Sequence, residues 1–194
     1  MTRRQFIEDI LRAGAMLGLL MALSHIFEHY VLIYSDMELS TASMVYFFEW
    51  LASAGLYVWL MWRSARRTSL AIDSRVGFSF GLAWSYVVIV AMLVGIIVGV
   101  ANTLFVSAMG YDMYVDGMIA RFDQMHEMML ATGDATTTDE LFVEMREAVQ
   151  RAERPSIFNN IFASLNSFIF SGGIIGLVIA SFVRRKPEIT PPTE

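Results

Sequence analysis

From Val76 to Tyr111 the chain runs 36 residues without a charged side chain. As one helix it would reach about 54 Å, well past the ~30 Å hydrocarbon core of a bilayer. A segment of that length and character reads as membrane-spanning rather than as a buried core helix. Either it tilts strongly, or its far end stands clear of the membrane and feeds the segment that follows. Three more apolar runs are long enough to cross: about Ala13–Tyr34, Met44–Trp62 and Ile157–Val183. With residues 76–110 they make four spans. Composition agrees, since 56% of the 194 residues are hydrophobic and the mean hydropathy is +0.52.

The basic residues orient these spans. Of 14 Lys and Arg, 10 fall in three places. These are the N-terminal segment (Arg3, Arg4, Arg12), one connection (Arg63, Arg66, Arg67, Arg75) and the C-terminal tail (Arg184, Arg185, Lys186). The connection Ser35–Ser43 has none. Short loops rich in Lys and Arg stay on the cytoplasmic side, so both termini are expected there. Tyr30 and Tyr34 then sit at the outer aromatic belt, and Trp59, Trp62 and Arg63 mark the inner edge of span two.

Between spans three and four, residues 112–154 carry ten acids and four arginines, a net charge of −6. This outer segment lacks the clustered basic face that nucleic acid requires. Val115, Met118, Phe122, Met125 and Met129 recur at spacings of three and four, an apolar helical stripe. Gly133 and Asp134 break it. Thr136, Thr137 and Thr138 followed by Asp139 and Glu140 read as a second helix start. Leu141, Phe142, Met145, Ala148 and Val149 form its stripe. The expectation is two antiparallel helices packed outside the membrane, able to meet a protein partner. The tail 186–194, with three prolines, reads as disordered. The chain has no cysteine, so disulfides and thiolate chemistry are excluded.

Small residues recur at four-residue spacing in Gly14/Gly18, Gly77/Gly81, Gly95/Gly99 and Gly172/Gly176. That spacing lets membrane helices approach closely. The first reading is packing within the bundle; a homo-oligomer seam is the alternative.

A basic connection leading into Gly77-Phe78-Ser79-Phe80-Gly81, a glycine-bearing span, an acidic hairpin and a last span with Ser171-Gly172-Gly173-Ile174-Ile175-Gly176 form a recognisable order. In this the chain resembles the Bacteroidetes membrane proteins grouped as domain of unknown function 4199, from span one to the basic stop. The resemblance implies four transmembrane helices in a bacterial inner membrane. It carries no activity and no functional residue.

The chemistry-bearing residues are few. His25, Glu28 and His29 match the inverted zincin pattern His-x-x-Glu-His, in which two histidines one turn apart hold zinc and the Glu is the base. A third ligand is needed, and Glu49 is the best placed. Glu28 lies about 22 Å along the helix from Ala13, and Glu49 at a similar level in span two. A carboxylate facing lipid there is costly, ~2.5 kcal/mol or more at mid-bilayer. Glu28 and Glu49 are therefore expected to face the bundle, pair with His25 or His29, or hold a proton. Met125, His126, Met128 and Met129 could suit Cu(I), but Met125 and Met129 are already used by the packing stripe. Arg3 and Arg4 approach a twin-arginine export signal, yet no small-residue cleavage site follows, and Glu8 and Asp9 suit the first turn of a continuing helix. No phosphate loop, dinucleotide fingerprint or serine elbow is present.

The reading is an all-α polytopic membrane protein of four transmembrane helices with an extracytoplasmic helical hairpin between helices three and four. No cofactor and no enzymatic activity are expected. The first functional expectation is a non-enzymatic accessory or scaffold acting through the hairpin. The second is a small proton- or ion-linked transporter subunit using His25, Glu28, His29 and Glu49, with Asn102, Asn159, Asn160, Ser164, Asn166, Ser167 and Ser171 available to a polar path. A zinc-dependent membrane hydrolase comes last.

Overall fold

The computed structural model describes residues 1–131 and 138–188. Its helices are α1 (Arg3–His29, prolonged by one π-helical turn Tyr30–Tyr34), α2 (Leu39–Ala71), α3 (Phe80–Met109), α4 (Tyr111–Ala131), α5 (Thr138–Arg151) and α6 (Ile157–Val183). Four of these, α1 with its π turn, α2, α3 and α6, are long and apolar enough to cross a membrane. They alternate in direction, so the start of α1, the end of α6 and the α2–α3 connection gather at one end of the bundle. The α1–α2 connection and the α4–α5 hairpin gather at the other. The ten basic residues that oriented the sequence all belong to the termini end.

The helices overrun the expected spans for local reasons. Expected from Ala13, α1 begins at Arg3, because Thr2 accepts from the Gln5 backbone while Gln5 Oε1 accepts from Thr2 N at 2.8 Å. That reciprocal cap starts a helix. Asp9 therefore sits well inside α1 and not in its first turn. Span two was expected to end at Trp62, but α2 continues through its arginines to Ala71. Arg63 and Arg66 lie over the rings of Trp59 and Trp62, at 5.3 and 5.2 Å from their centroids. Span three was expected from Val76. Residues 76–79 instead belong to the connection, against which residues 184–188 lie as a strap, and Ser79 caps α3 by accepting from Leu82 N at 3.2 Å. The charge-free segment is thus 30 residues of helix ended by Gly110, whose φ of 95° is left-handed. Such a residue closes a helix, and the chain turns directly into α4.

The glycine pairs locate the tightest contacts. A Cβ on Gly95 would lie 2.8 Å from Leu165 Cα, and one on Gly99 2.6 Å from Ile161 Cα. α3 and α6 therefore touch backbone to backbone. Gly14 and Gly18 instead take the side chains of Leu93 and Ile97, seating α1 on α3. In hydrocarbon, helices gain little by burying apolar surface from water, and close van der Waals contact holds them instead. Gly172 and Gly176 face Ala91, Trp84 and Val87 of α3, so all three pairs serve packing within the chain. α3 lies at the centre, and Leu17, Met61, Tyr86, Val87, Val90 and Val94 are fully buried around it. Leu19, Leu23, Phe170 and Phe182 remain largely exposed and face the lipid side.

The tail was expected to be disordered from Lys186. Residues 184–188 are instead fastened to the α2–α3 connection. Phe78 and Arg185 exchange backbone hydrogen bonds of 2.9 and 2.8 Å, and Glu188 N donates to Ser74 O at 3.0 Å. Residues 189–194, like the Gly133–Asp134 turn and Thr136–Thr137, lie outside the described residues.

α4 and α5 pack on one another. Phe142 is buried, and the His126 ring stacks on it at 4.8 Å. The expected partners Met125 and Leu141 are exposed. The stripe was read from apolar residues alone. α5 instead meets the flank of α4 carrying Asp123 and His126, which pair with Arg146 and Asp139.

Candidate functional site

Two turns of α1 near the hairpin end carry the polar cluster. His25 and Glu28 are three residues apart, so their side chains meet on one helix face. His25 Nδ1 and Glu28 Oε2 are 2.9 Å apart. His29 Nδ1 reaches the His25 carbonyl at 3.1 Å, and the two imidazole rings lie 5.0 Å apart at 49°. From α2, Glu49 Oε1 accepts from Ser24 Oγ at 2.7 Å. The Glu28 and Glu49 carboxyls meet across the α1–α2 contact. Glu49 Oε2 is buried with no hydrogen-bond donor, and Glu28 is 7% exposed. The structure thus brings His25, Glu28, His29 and Glu49 together.

As a metal centre the arrangement is poor. His25 spends Nδ1 on Glu28, His29 spends Nδ1 on its own helix, and Glu49 Oε1 is held by Ser24. Among the described residues no group of three His, Asp or Glu is set to hold a metal ion. The copper reading also loses its histidine, since His126 Nε2 lies 2.6 Å from Asp139 Oδ1.

On the hairpin side a cavity of about 260 Å³ opens between α4, the end of α5, α3 and α6. His29, Asn102, Thr103, Tyr111, Tyr114 and Asn160 are among its walls. Asn160 donates to Thr103 Oγ1 at 3.0 Å, tying α6 to α3. Burial, then the neighbouring Tyr111, push the Tyr114 phenol above its usual range. On the lipid side, Ser24 and Glu49 lie in a groove of about 410 Å³ whose other walls include Leu20, Leu23, Phe27 and Leu56. Ser171, expected to serve a path, bonds only to carbonyls of its own helix.

Two polar sites were not foreseen. Arg121 of α4 is 8% exposed and spends its guanidinium on the end of α1. Nε donates to Leu32 O at 2.6 Å, and Nη2 to Ser35 O at 2.8 Å and Val31 O at 3.3 Å. Nη1 donates to Met37 O and, at 2.8 Å, to Gln124 Oε1. Helix C-termini leave carbonyls unpaired, and a cation is favourable there. One turn earlier, Gly117 lets α4 press onto the Ile33 carbonyl, which leaves no room for a Cβ. The readable signal was Gly117 and Arg121 four apart, a small residue and a lone cation on one face.

At the termini end, Asp9 accepts from Tyr86 Oη at 3.0 Å and from Thr68 Oγ1. Tyr86 Oη also lies 2.7 Å from Ser64 Oγ. One carboxylate thus joins α1, α2 and α3. Between this network and the cluster at the hairpin end the core is apolar. It includes Leu17, Met61, Val90 and Val94, with the buried Tyr57 hydroxyl unpartnered.

A four-span helical bundle whose polar groups are split between its two ends defines a multi-pass membrane protein. The chain belongs to the family described as protein of unknown function (DUF4199), which matches residues 12–185. No curated protein and no solved structure matches it.

Proposed function

We propose that this protein is a non-enzymatic accessory or scaffold of a bacterial inner membrane, with both termini cytoplasmic and the α4–α5 hairpin presented on the outer face. The carrying observation is the Arg121 anchorage. A hairpin that merely linked two spans would need no buried cation, whereas this one is held in a fixed pose by five acceptors at the end of α1 and its connection: Val31 O, Leu32 O, Ser35 O, Ser35 Oγ and Met37 O. Its outward face keeps Met113, Met128, Leu141 and Val143 exposed, apolar groups suited to a protein partner. The basic residues at the termini end support the orientation. The test is copurification from native membranes of the wild type and of Val143→Asp. A partner held by the wild type and lost in the variant supports the reading. Retention of the same partners by both removes the hairpin from the interface.

The contact between Glu28 and Glu49 favours a second reading, a proton-linked transporter subunit. Intramembrane carboxyls are functional candidates by default. The apolar core between the cluster and Asp9 weighs against a path through the bundle. Proton uptake by vesicles holding the protein, compared with Glu49→Gln, separates the two.

A further inference from the structure

Three observations converge on Glu49. It is ten residues inside α2, about 15 Å from the start of that helix. One carboxylate oxygen is held by Ser24, and the other is buried with no donor. Its neighbour across the helix contact is another carboxyl, Glu28. Two carboxylates in contact cannot both keep their charge in a poorly hydrated site, and the usual resolution is one shared proton. That proton supplies the donor that Glu49 Oε2 lacks.

The surroundings give the proton a route to one side only. Glu28 bonds His25, the His29 ring lies tilted 5.0 Å from that of His25, and His29 lines the cavity beneath the hairpin. The titrating groups facing Glu49 are Glu28 and His25 from α1 and Tyr46 from α2 itself, with His29 beside Glu28. Toward the termini end lie Tyr57, Leu17 and Met61, all buried. We infer that Glu28 and Glu49 form a binding site for a single proton, exchanging through His25 and His29 with the hairpin side of the membrane alone. The assignment depends on neither a hairpin partner nor net transport.

The lipid-facing groove supplies the probe. A lipid-soluble carbodiimide can enter beside Leu20 and Leu23 and meet the carboxyl. Only the protonated acid reacts. Its proton goes to a carbodiimide nitrogen, its oxygen bonds the central carbon, and the acyl group then migrates to nitrogen as a stable acylurea. The experiment treats the full chain in phosphatidylcholine vesicles with dicyclohexylcarbodiimide and maps the adduct by peptide mass spectrometry. Expected is modification of Glu49 at neutral pH that falls at least tenfold by about pH 9 and is absent in Glu49→Gln. Glu28→Gln gives Glu49 an amide donor and removes the competing carboxyl, so labelling at neutral pH drops about tenfold, the change of one pH unit. His29→Phe keeps the labelling but slows its response to a pH jump on the hairpin side. Absence of an adduct on wild-type Glu49 at about pH 5, or a rate unchanged from pH 5 to 9, overturns the site. A response to jumps on the termini side overturns its one-sidedness. The wild-type pH series stands by itself if a variant fails to fold.

Discussion

Arg121 Nε donates to the Leu32 carbonyl at 2.6 Å, so a cation from the hairpin closes the end of the first span. The contact joins residues 89 apart in sequence. It makes the pose of the hairpin a property of the membrane bundle.

Removing that cation should free the hairpin. Arg121→Met keeps an apolar stem and leaves the carbonyls of Val31, Leu32 and Ser35 without their donor. The cost is about 3 kcal/mol, as for other buried charged hydrogen bonds. Limited proteolysis should cut α4 and α5 much faster, with the four spans still inserted. Arg121→Lys keeps charge but not the planar fork, so it should rescue only in part. Equal cutting of wild type and Arg121→Met would sink the anchor.

The α3–α6 contact predicts a sharp positional contrast. Gly99→Ala places a methyl 2.6 Å from Ile161 Cα, whereas Gly81→Ala meets nothing within 4 Å. Overpacking of this kind costs about 1–3 kcal/mol. Thermal unfolding in detergent should show a lower midpoint for Gly99→Ala and none for Gly81→Ala. Matching midpoints would mean that α3 and α6 do not touch as described.

Tyr114 gives the hairpin an alkaline limit. Its folded value is raised by burial, so the folded state holds the phenol proton more tightly than the unfolded state. The associated stability is complete below the unfolded value of about 10 and is lost as pH rises through the higher folded value. Hairpin proteolysis should therefore accelerate above about pH 10 in the wild type and less so in Tyr114→Phe.

Single cysteines test the layout. A cysteine replacing Arg66 and one replacing Glu127 should react with a membrane-impermeant maleimide from opposite faces, Glu127 from outside. Labelling of both from the same face would contradict the alternation of the four spans.

The bundle was legible because length without charge admits few structures. A 36-residue uncharged run and ten gathered basic residues leave little besides four alternating spans. The helix ends were less legible, because caps and snorkelling arginines extend helices beyond their apolar cores, as Thr2 and Arg63–Arg67 do. His25, Glu28 and His29 were readable as a group, since helical spacing puts them on one face. Their meeting with Glu49 rested on a depth argument, which the packing of α1 on α2 completes. Asp9 and Arg121 escaped because each finds its partners far away in sequence. Asp9 looked like a helix-start acid, yet it bonds Thr68 and Tyr86. Arg121 interrupts an apolar stripe, and only the three-dimensional position of the α1 carbonyls gives it a purpose.

The strap after α6 bears on how the molecule is made. Arg185 donates to the Ser69 and Ile72 carbonyls at 2.6 Å and pairs with Phe78, while Gly77, at φ 70°, lies against Arg185 and Pro187. The connection it fastens leaves the ribosome about a hundred residues before the strap does. During synthesis, three spans must therefore wait in the bilayer with that connection unlatched. The segment just after the last helix delivers the clasp, so the nascent bundle locks in one late step, and a chain stopped at Val183 would insert all four spans yet stay open at the rim of its termini end.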